Sequence, residues 1–230
     1  MRTLAILPIK SFGAAKQRLA SALGSGSRRA LAQAMFSDVL SSLRRVPSLD
    51  SIAVVTADVE AKSAAWDSRI LVLDDDARAG QSAATVTGIR YALAARFDRA
   101  LLVPGDTPLL DPGEVESLLR RSAAERVEVT IVPDRHGEGT NALLLAPADA
   151  IEPSFGPGSL ERHVEAARAG GRSHRIESPS SLLHDVDTPE DLADLRIALD
   201  ALRGRAPRTR GALTQLGRVG GRGAQAPVSA

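Results

Sequence analysis

Three aspartates have the type and setting for metal-assisted phosphoryl chemistry. Asp106 ends the apolar run Leu101-Leu102-Val103-Pro104-Gly105, and Asp185 and Asp187 stand two residues apart in His184-Asp185-Val186-Asp187-Thr188-Pro189-Glu190. In extended backbone both carboxylates would point to one face and Val186 to the other. Carboxylates side by side repel unless a cation lies between them. Mg2+ takes one or two carboxylates and completes its shell with substrate phosphates. With Asp106, the pair could hold two such ions. Plainer readings compete: Asp106 could merely close a turn, and Asp187 or Thr188 could cap the next helix while Asp185 stays solvated. Asp111 already offers the cap for the helix after the Gly-Asp turn, which gives Asp106 the better claim to function.

A second constellation is the loop Pro8-Ile9-Lys10-Ser11-Phe12-Gly13-Ala14-Ala15-Lys16-Gln17-Arg18-Leu19. It follows an apolar run and puts Lys10, Lys16 and Arg18 within nine residues. Backbone amides joined to basic side chains suit a triphosphate. No GxxxxGKS/T is present, so this is not a P-loop. The chain otherwise uses Arg for positive charge, and two of its three lysines, Lys10 and Lys16 but not Lys62, fall here. A compact ammonium is favoured where a point charge meets phosphate. A solvated basic loop is the alternative.

Two weaker segments are Pro133-Asp134-Arg135-His136-Gly137-Glu138-Gly139-Thr140-Asn141 and Phe155-Gly156-Pro157-Gly158-Ser159-Leu160. In the second, Gly156, Gly158 and Ser159 at a helix start resemble an anion seat, with amides and a hydroxyl aimed outward. Ordinary turn chemistry would explain either segment alone. His136, His163, His174 and His184 lack metal-ligand spacing and read as surface or internally satisfied histidines. Trp66 and Tyr91 read as structural, and the lack of GxSxG argues against a serine nucleophile.

Strand-length apolar runs place these loops: Thr3–Ile9, Ser51–Thr56, Ile70–Leu73, Ala100–Pro104, Val127–Pro133 and Asn141–Ala146. Helical patterns separate most of them. Leu31, Met35, Val39 and Leu43 make one face of a helix over Arg28–Arg45. Ser82–Arg96 and Pro112–Ala124 also read as helices, and Thr188-Pro189-Glu190 opens a last one reaching about Leu202. Alternating strands and helices predict a single α/β domain over residues 1–202, Rossmann-like, with a mostly parallel sheet covered on both faces. Ligands bind beyond the carboxyl ends of such strands.

With 43% hydrophobic and 25% charged residues, the 230-residue chain is ordinary for a globular domain. It has no cysteine, which removes disulfides and thiolate chemistry and fits the cytoplasm. No apolar run approaches a membrane span, and Met1–Lys10 reads as a strand, not a signal peptide. The net charge of +1 hides an asymmetry: residues 203–230 hold six arginines and no acid, so the rest carries −5. A mildly acidic body does not predict a nucleic-acid partner. The Arg-, Gly- and Ala-rich tail predicts disorder over 203–230. The sequence sets no oligomeric state.

In order, LPIKSFGAAKQRL, VPGDTPLL, PDRHGEGTNALLL, FGPGSLERH and DVDTPEDL resemble the guanylyltransferases of coenzyme F-420 biosynthesis, within the molybdopterin-nucleotidyltransferase-like group. The resemblance spans roughly residues 1–202. It implies a nucleotide-diphospho-sugar-transferase type of fold, and transfer of GMP from GTP to a phosphorylated three-carbon acid, phosphoenolpyruvate or 2-phospho-L-lactate, with release of pyrophosphate. It implies metal binding by Asp106, Asp185 and Asp187. Thr140, Gly156 and Ser159, with Asn141 and Gly158 in the same motifs, would hold the acid's phosphate. Lys10, Lys16 and Arg18 would meet the GTP phosphates, with Lys16, Arg18 and Asp106 in the catalytic role. Ala79-Gly80-Gln81-Ser82 and Gly88 would lie near the base. A nucleotide-sugar glycosyltransferase, another molybdopterin-type nucleotidyltransferase and a non-catalytic GTP-binding module are the competing readings.

Overall fold

Residues 1–13, 15–66, 70–75 and 80–222 are described by the structure, a computed structural model, with the side chains of 80, 81 and 219–222 left aside. Seven strands form one sheet: β1 (Thr3–Pro8), β2 (Ser51–Thr56), β3 (Leu71–Asp74), β4 (Arg99–Leu102), β5 (Val129–Pro133), β6 (Thr140–Leu145) and β7 (His174–Ile176). Their order is β3-β2-β1-β4-β6-β5-β7. β6 is antiparallel to both β4 and β5, and the other pairings are parallel. That one reversal matters to the site. It brings the start of β6, with Thr140 paired to Pro133, to the edge where β4 and β5 end.

The helices are α1 (Ser25–Leu43), α2 (Val59–Trp66), α3 (Gly80–Ala94), α4 (Pro112–Glu125), α5 (Ser159–Ala169), α6 (Pro189–Ala201) and α7 (Pro207–Arg222). Alternate residues of each central strand enter different cores, as a pleated strand requires. Ala5 and Leu7 pack with Phe36 and Val39 of α1 and with Leu118 of α4. Leu4 and Ile6 pack with Ala84 and Ile89 of α3 and with Ala167 of α5. Both faces are therefore dry, which is why the strands read as continuous apolar runs. The expected α/β class with a mostly parallel sheet is the observed one. No described helix is long and apolar enough to cross a membrane.

The expected disorder of 203–230 needs correction. Residues 207–222 form α7, which packs through Leu213 into a cluster with Leu31 and Met35 of α1 and Leu195 and Leu199 of α6. The buried Asp38 of α1 accepts the backbone N–H of Thr209 at 2.8 Å and its hydroxyl at 2.7 Å, and that of Arg208 at 3.3 Å. A carboxylate at a helix N-terminus satisfies orphan amides and meets the positive end of the dipole. This cap comes from 170 residues away. Local composition could not show it. Residues 223–230 lie outside the described residues.

Candidate active site

The loop after β1 is pinned before it reaches its lysine. Ile9 donates to the carbonyl of Val55 at 2.9 Å, and Phe12 donates to Asp58 at 3.0 Å while its ring stands 5.5 Å from that of Phe36. Lys16 then adopts a left-handed conformation, φ 57° and ψ 41°, ahead of a 3-10 turn at Gln17–Ser21. That conformation costs a non-glycine residue about 1–2 kcal/mol, so something else must hold it. Its ammonium is buried between two carboxylates, bonded to Asp187 at 2.8 Å and to Asp106. Burial alone would lower the Lys16 pKa. The charges of Asp106 and Asp187 outweigh it and hold the ammonium well above the ordinary lysine value.

Asp106 keeps one oxygen, Oδ1, buried without a protein partner. Asp185 is raised above the usual carboxylate range, first by burial and then by the charges of Asp106 and Asp187, while a 3.2 Å bond from Asn141 Nδ2 opposes the rise. Val186 is buried between the two acids, so the predicted alternation holds. Thr188, not Asp187, caps α6, in a capping box with Asp191. Asp191 also accepts the Asp187 N–H at 2.9 Å and pairs with Arg135 at 2.5 Å. This frees the Asp187 side chain for Lys16. Among the described residues no three acidic or imidazole groups converge as a ready metal cluster. The Lys16 ammonium lies between Asp106 and Asp187.

Asp106 and Asp187 line two cavities at once. The smaller, of about 320 Å³, is walled by the β1 loop with Lys10 and Lys16. The larger, of about 500 Å³, holds Arg18, Thr140, Asn141, Gly156 and Ser159 together with six carboxylates. Three of those six have other duties or exposure. Asp134 accepts the amides of His136, Glu138 and Gly139, Asp191 holds α6, and Glu138 is exposed. Asp106, Asp185 and Asp187 remain. An orphan buried oxygen and a desolvated acid fit a cation, because an anionic ligand could not otherwise enter so acidic a cavity.

The opposite wall is neutral. The Ser159 hydroxyl is buried with no partner. Gly156 has φ +112°, a conformation that a side chain would strain. Arg162 clamps this loop by donating to the carbonyls of Pro157 at 2.6 Å and Ser154 at 2.9 Å. The N–H of Ser159 already serves Gly156 O at 3.0 Å, and that of Leu160 serves Glu138 O at 3.2 Å. Two of the amides at this helix start are therefore engaged within the protein, whereas the buried Ser159 hydroxyl is not.

A family model described as "Guanylyl transferase CofC like" matches residues 3–217. The chain is 47% identical to a phosphoenolpyruvate guanylyltransferase of Conexibacter woesei, over 94% of this chain and 97% of that one. It is 33% identical to a 2-phospho-L-lactate guanylyltransferase of Methanothermobacter thermautotrophicus, over 85% and 84%. The chain belongs to the CofC-like guanylyltransferase family. Among solved structures, a putative nucleotide-diphospho-sugar transferase from Desulfovibrio desulfuricans G20 superposes with a TM-score of 0.74 at 18% identity, covering 94% and 95% of the two chains. A cytidylyltransferase from Leptospira borgpetersenii gives 0.61 at 11%, covering both chains fully. These two likenesses establish the fold.

Against this CofC-like frame, the structure brings together Lys16, Asp106, Asp185, Asp187, Arg18, Thr140, Asn141, Gly156 and Ser159. Lys10 joins them from the smaller cavity. Gly158 does not line the larger cavity; it sits at φ +71° as the N-cap of α5. Gly88 lines neither cavity. A Cβ there would come within 2.4 Å of Ile6 Cγ2, so this glycine lets α3 lie close on β1. Ser82 accepts the Phe155 N–H at 3.3 Å, which ties α3 to the Gly156 loop. Gly80 opens α3, whereas Ala14, Ala79 and the Gln81 side chain lie outside the described residues. Sequence reasoning missed His163, whose ring reaches Thr140, and Arg135, which braces Asp191. Ser159 and His163 are four apart on α5, and that one-face spacing was the available signal.

Proposed function

We propose that this chain transfers GMP from GTP to the phosphate of phosphoenolpyruvate, releasing pyrophosphate, in coenzyme F-420 biosynthesis. The observation that carries this reading is Asp106. It stands on the wall common to a lysine-bearing cavity and a hydroxyl-bearing one, with an unpartnered oxygen. GTP phosphates would meet Lys10 and Lys16, and Arg18 would reach them from the larger cavity. Thr140, Gly156 and Ser159, with Asn141 beside them, would seat the acid. A cytoplasmic location, where GTP is available, belongs to this proposal.

Mg2+, in one or two ions, would be held by Asp106, Asp185 and Asp187 and would neutralise phosphate charge and orient the triphosphate. Lys16 would then turn its ammonium from the carboxylates toward phosphate. A phosphate monoester is largely dianionic at neutral pH. Its oxygen can attack the α-phosphorus while the bond to the bridging oxygen breaks, and no proton need be removed. The chain's residues therefore align and neutralise, which agrees with a site rich in acids and basic side chains.

The test is pyrophosphate release with GTP and phosphoenolpyruvate, 2-phospho-L-lactate or 2-phosphoglycerate offered separately, with ATP, CTP and UTP as base controls. Release with GTP and phosphoenolpyruvate is expected. Release with 2-phospho-L-lactate alone would move the acceptor to the one named for the Methanothermobacter relative. Release with no acid would refute the class.

A further inference from the structure

His163 is fully buried beside the acid-binding wall. Its ring has two defined polar contacts. Nε2 accepts the backbone N–H of Ser154 at 2.9 Å, and Nδ1 stands 3.0 Å from the Thr140 hydroxyl oxygen. A backbone amide can only donate, so Nε2 carries no proton. Burial, helped by the Arg162 charge, pushes the His163 pKa down to about 4, so the imidazole is neutral at physiological pH. A neutral imidazole with a bare Nε2 carries its hydrogen on Nδ1. Nδ1–H therefore donates to Thr140 Oγ1, and the threonine's own hydrogen is left to be given away.

The ring is fixed in this attitude. The Phe155 ring meets it at 73° with centroids 5.3 Å apart. A hydroxyl normally chooses between giving and accepting by rotating. Here one acceptor site of Thr140 is already filled by a donor. An anionic acid needs donors, and it would repel a hydroxyl that turned its lone pairs outward.

We propose that His163 is a positioning residue that sets the polarity of the Thr140 hydroxyl, making it a donor to the bound acid substrate. This rests on the reading that Thr140 lines the acid site. The same bond to Ser154 steadies the segment leading to Gly156, so one ring serves two sides of the pocket.

The test is kinetic, on the full chain. His163→Leu removes the donor, and His163→Asn keeps an N–H at the corresponding distance from the backbone. His163→Leu should raise KM for phosphoenolpyruvate by about tenfold, the scale of one hydrogen bond, with KM for GTP unchanged. His163→Asn should recover most of that loss. In a Thr140→Val background, His163→Leu should add no further rise, because the histidine acts through the hydroxyl. Additive effects, or a parallel rise in both KM values that the asparagine fails to rescue, would reduce His163 to a core residue and overturn the proposal. An unchanged KM for the acid in Thr140→Val alone would refute the pocket reading itself. Should His163→Leu not fold, nitrogen-15 NMR of the unaltered protein still decides: the hydrogen must be on Nδ1, and finding it on Nε2 would end the proposal.

Discussion

The two walls of the larger cavity are built on opposite principles. The acidic wall, Asp106 with Asp185 and Asp187, is electrostatically incomplete: one oxygen has no partner, one carboxyl is raised by burial and then by its neighbours' charges, and Lys16 supplies the compensation. The neutral wall, Thr140 and Ser159 with His163 behind them, carries no net charge and is held by bonds from buried backbone and ring groups. The contrast separates two tasks. On the proposed function, charge would be balanced by what binds, whereas polarity and shape are set by the fold in advance.

Breaking the acidic wall should cost most. Asp106→Asn keeps the shape and removes one charge, and kcat should fall by about 100-fold or more, measured as pyrophosphate release in saturating substrates. Near-normal turnover would remove Asp106 from the chemistry. Lys16→Met should also slow turnover strongly, and it adds a sharper signature. With the ammonium gone, Asp106 and Asp187 face each other uncompensated, so the melting temperature should fall and then recover on adding Mg2+. A melting temperature indifferent to Mg2+ would contradict the idea that these acids await a cation.

The neutral wall should answer more quietly. Ser159→Ala deletes a hydroxyl that bonds to nothing in the protein, so the melting temperature should hold or rise. KM for the acid should nevertheless increase several-fold, on the order of 1 kcal/mol. A stability loss without a KM change would make Ser159 structural. The smallest effect concerns pH. His163 titrates near 6.5 in the unfolded chain and is held down to about 4 in the fold. The unfolded state therefore binds the proton first as pH falls. The associated stability is intact above about 6.5 and is lost progressively toward about 4. Urea midpoints taken near neutrality and near pH 5 should drop less for His163→Asn than for the unaltered chain.

Much of this was legible in the sequence for definite reasons. Strands buried on both faces read as apolar runs, and β2 falls on the predicted Ser51–Thr56. Asp111 caps α4 as expected, accepting the amides of Gly113 and Glu114. The scarcity of lysine pointed to Lys16, and the Asp-Val-Asp alternation pointed to one face. What was not legible depends on distant partners. Three residues of β7 are too few to show a period. α7 is capped by Asp38 from another helix. The close packing of Gly88 on Ile6 was hidden because nothing local reveals Ile6 beneath it. His163 read as a surface or satisfied histidine, and it is a buried, satisfied one. Its partner Thr140 sits on a strand brought to α5 only by the reversed β6.

The most direct test of the central claim follows the phosphorus atoms. GTP labelled at the α-phosphorus should deliver its label, with phosphoenolpyruvate and Mg2+, to an acid-linked product that resists phosphatase, in step with pyrophosphate. GTP labelled at the γ-phosphorus should deliver its label only to pyrophosphate. Label from the γ position in the acid product, or α label left entirely in free guanine nucleotides, would contradict GMP transfer and the account built on it.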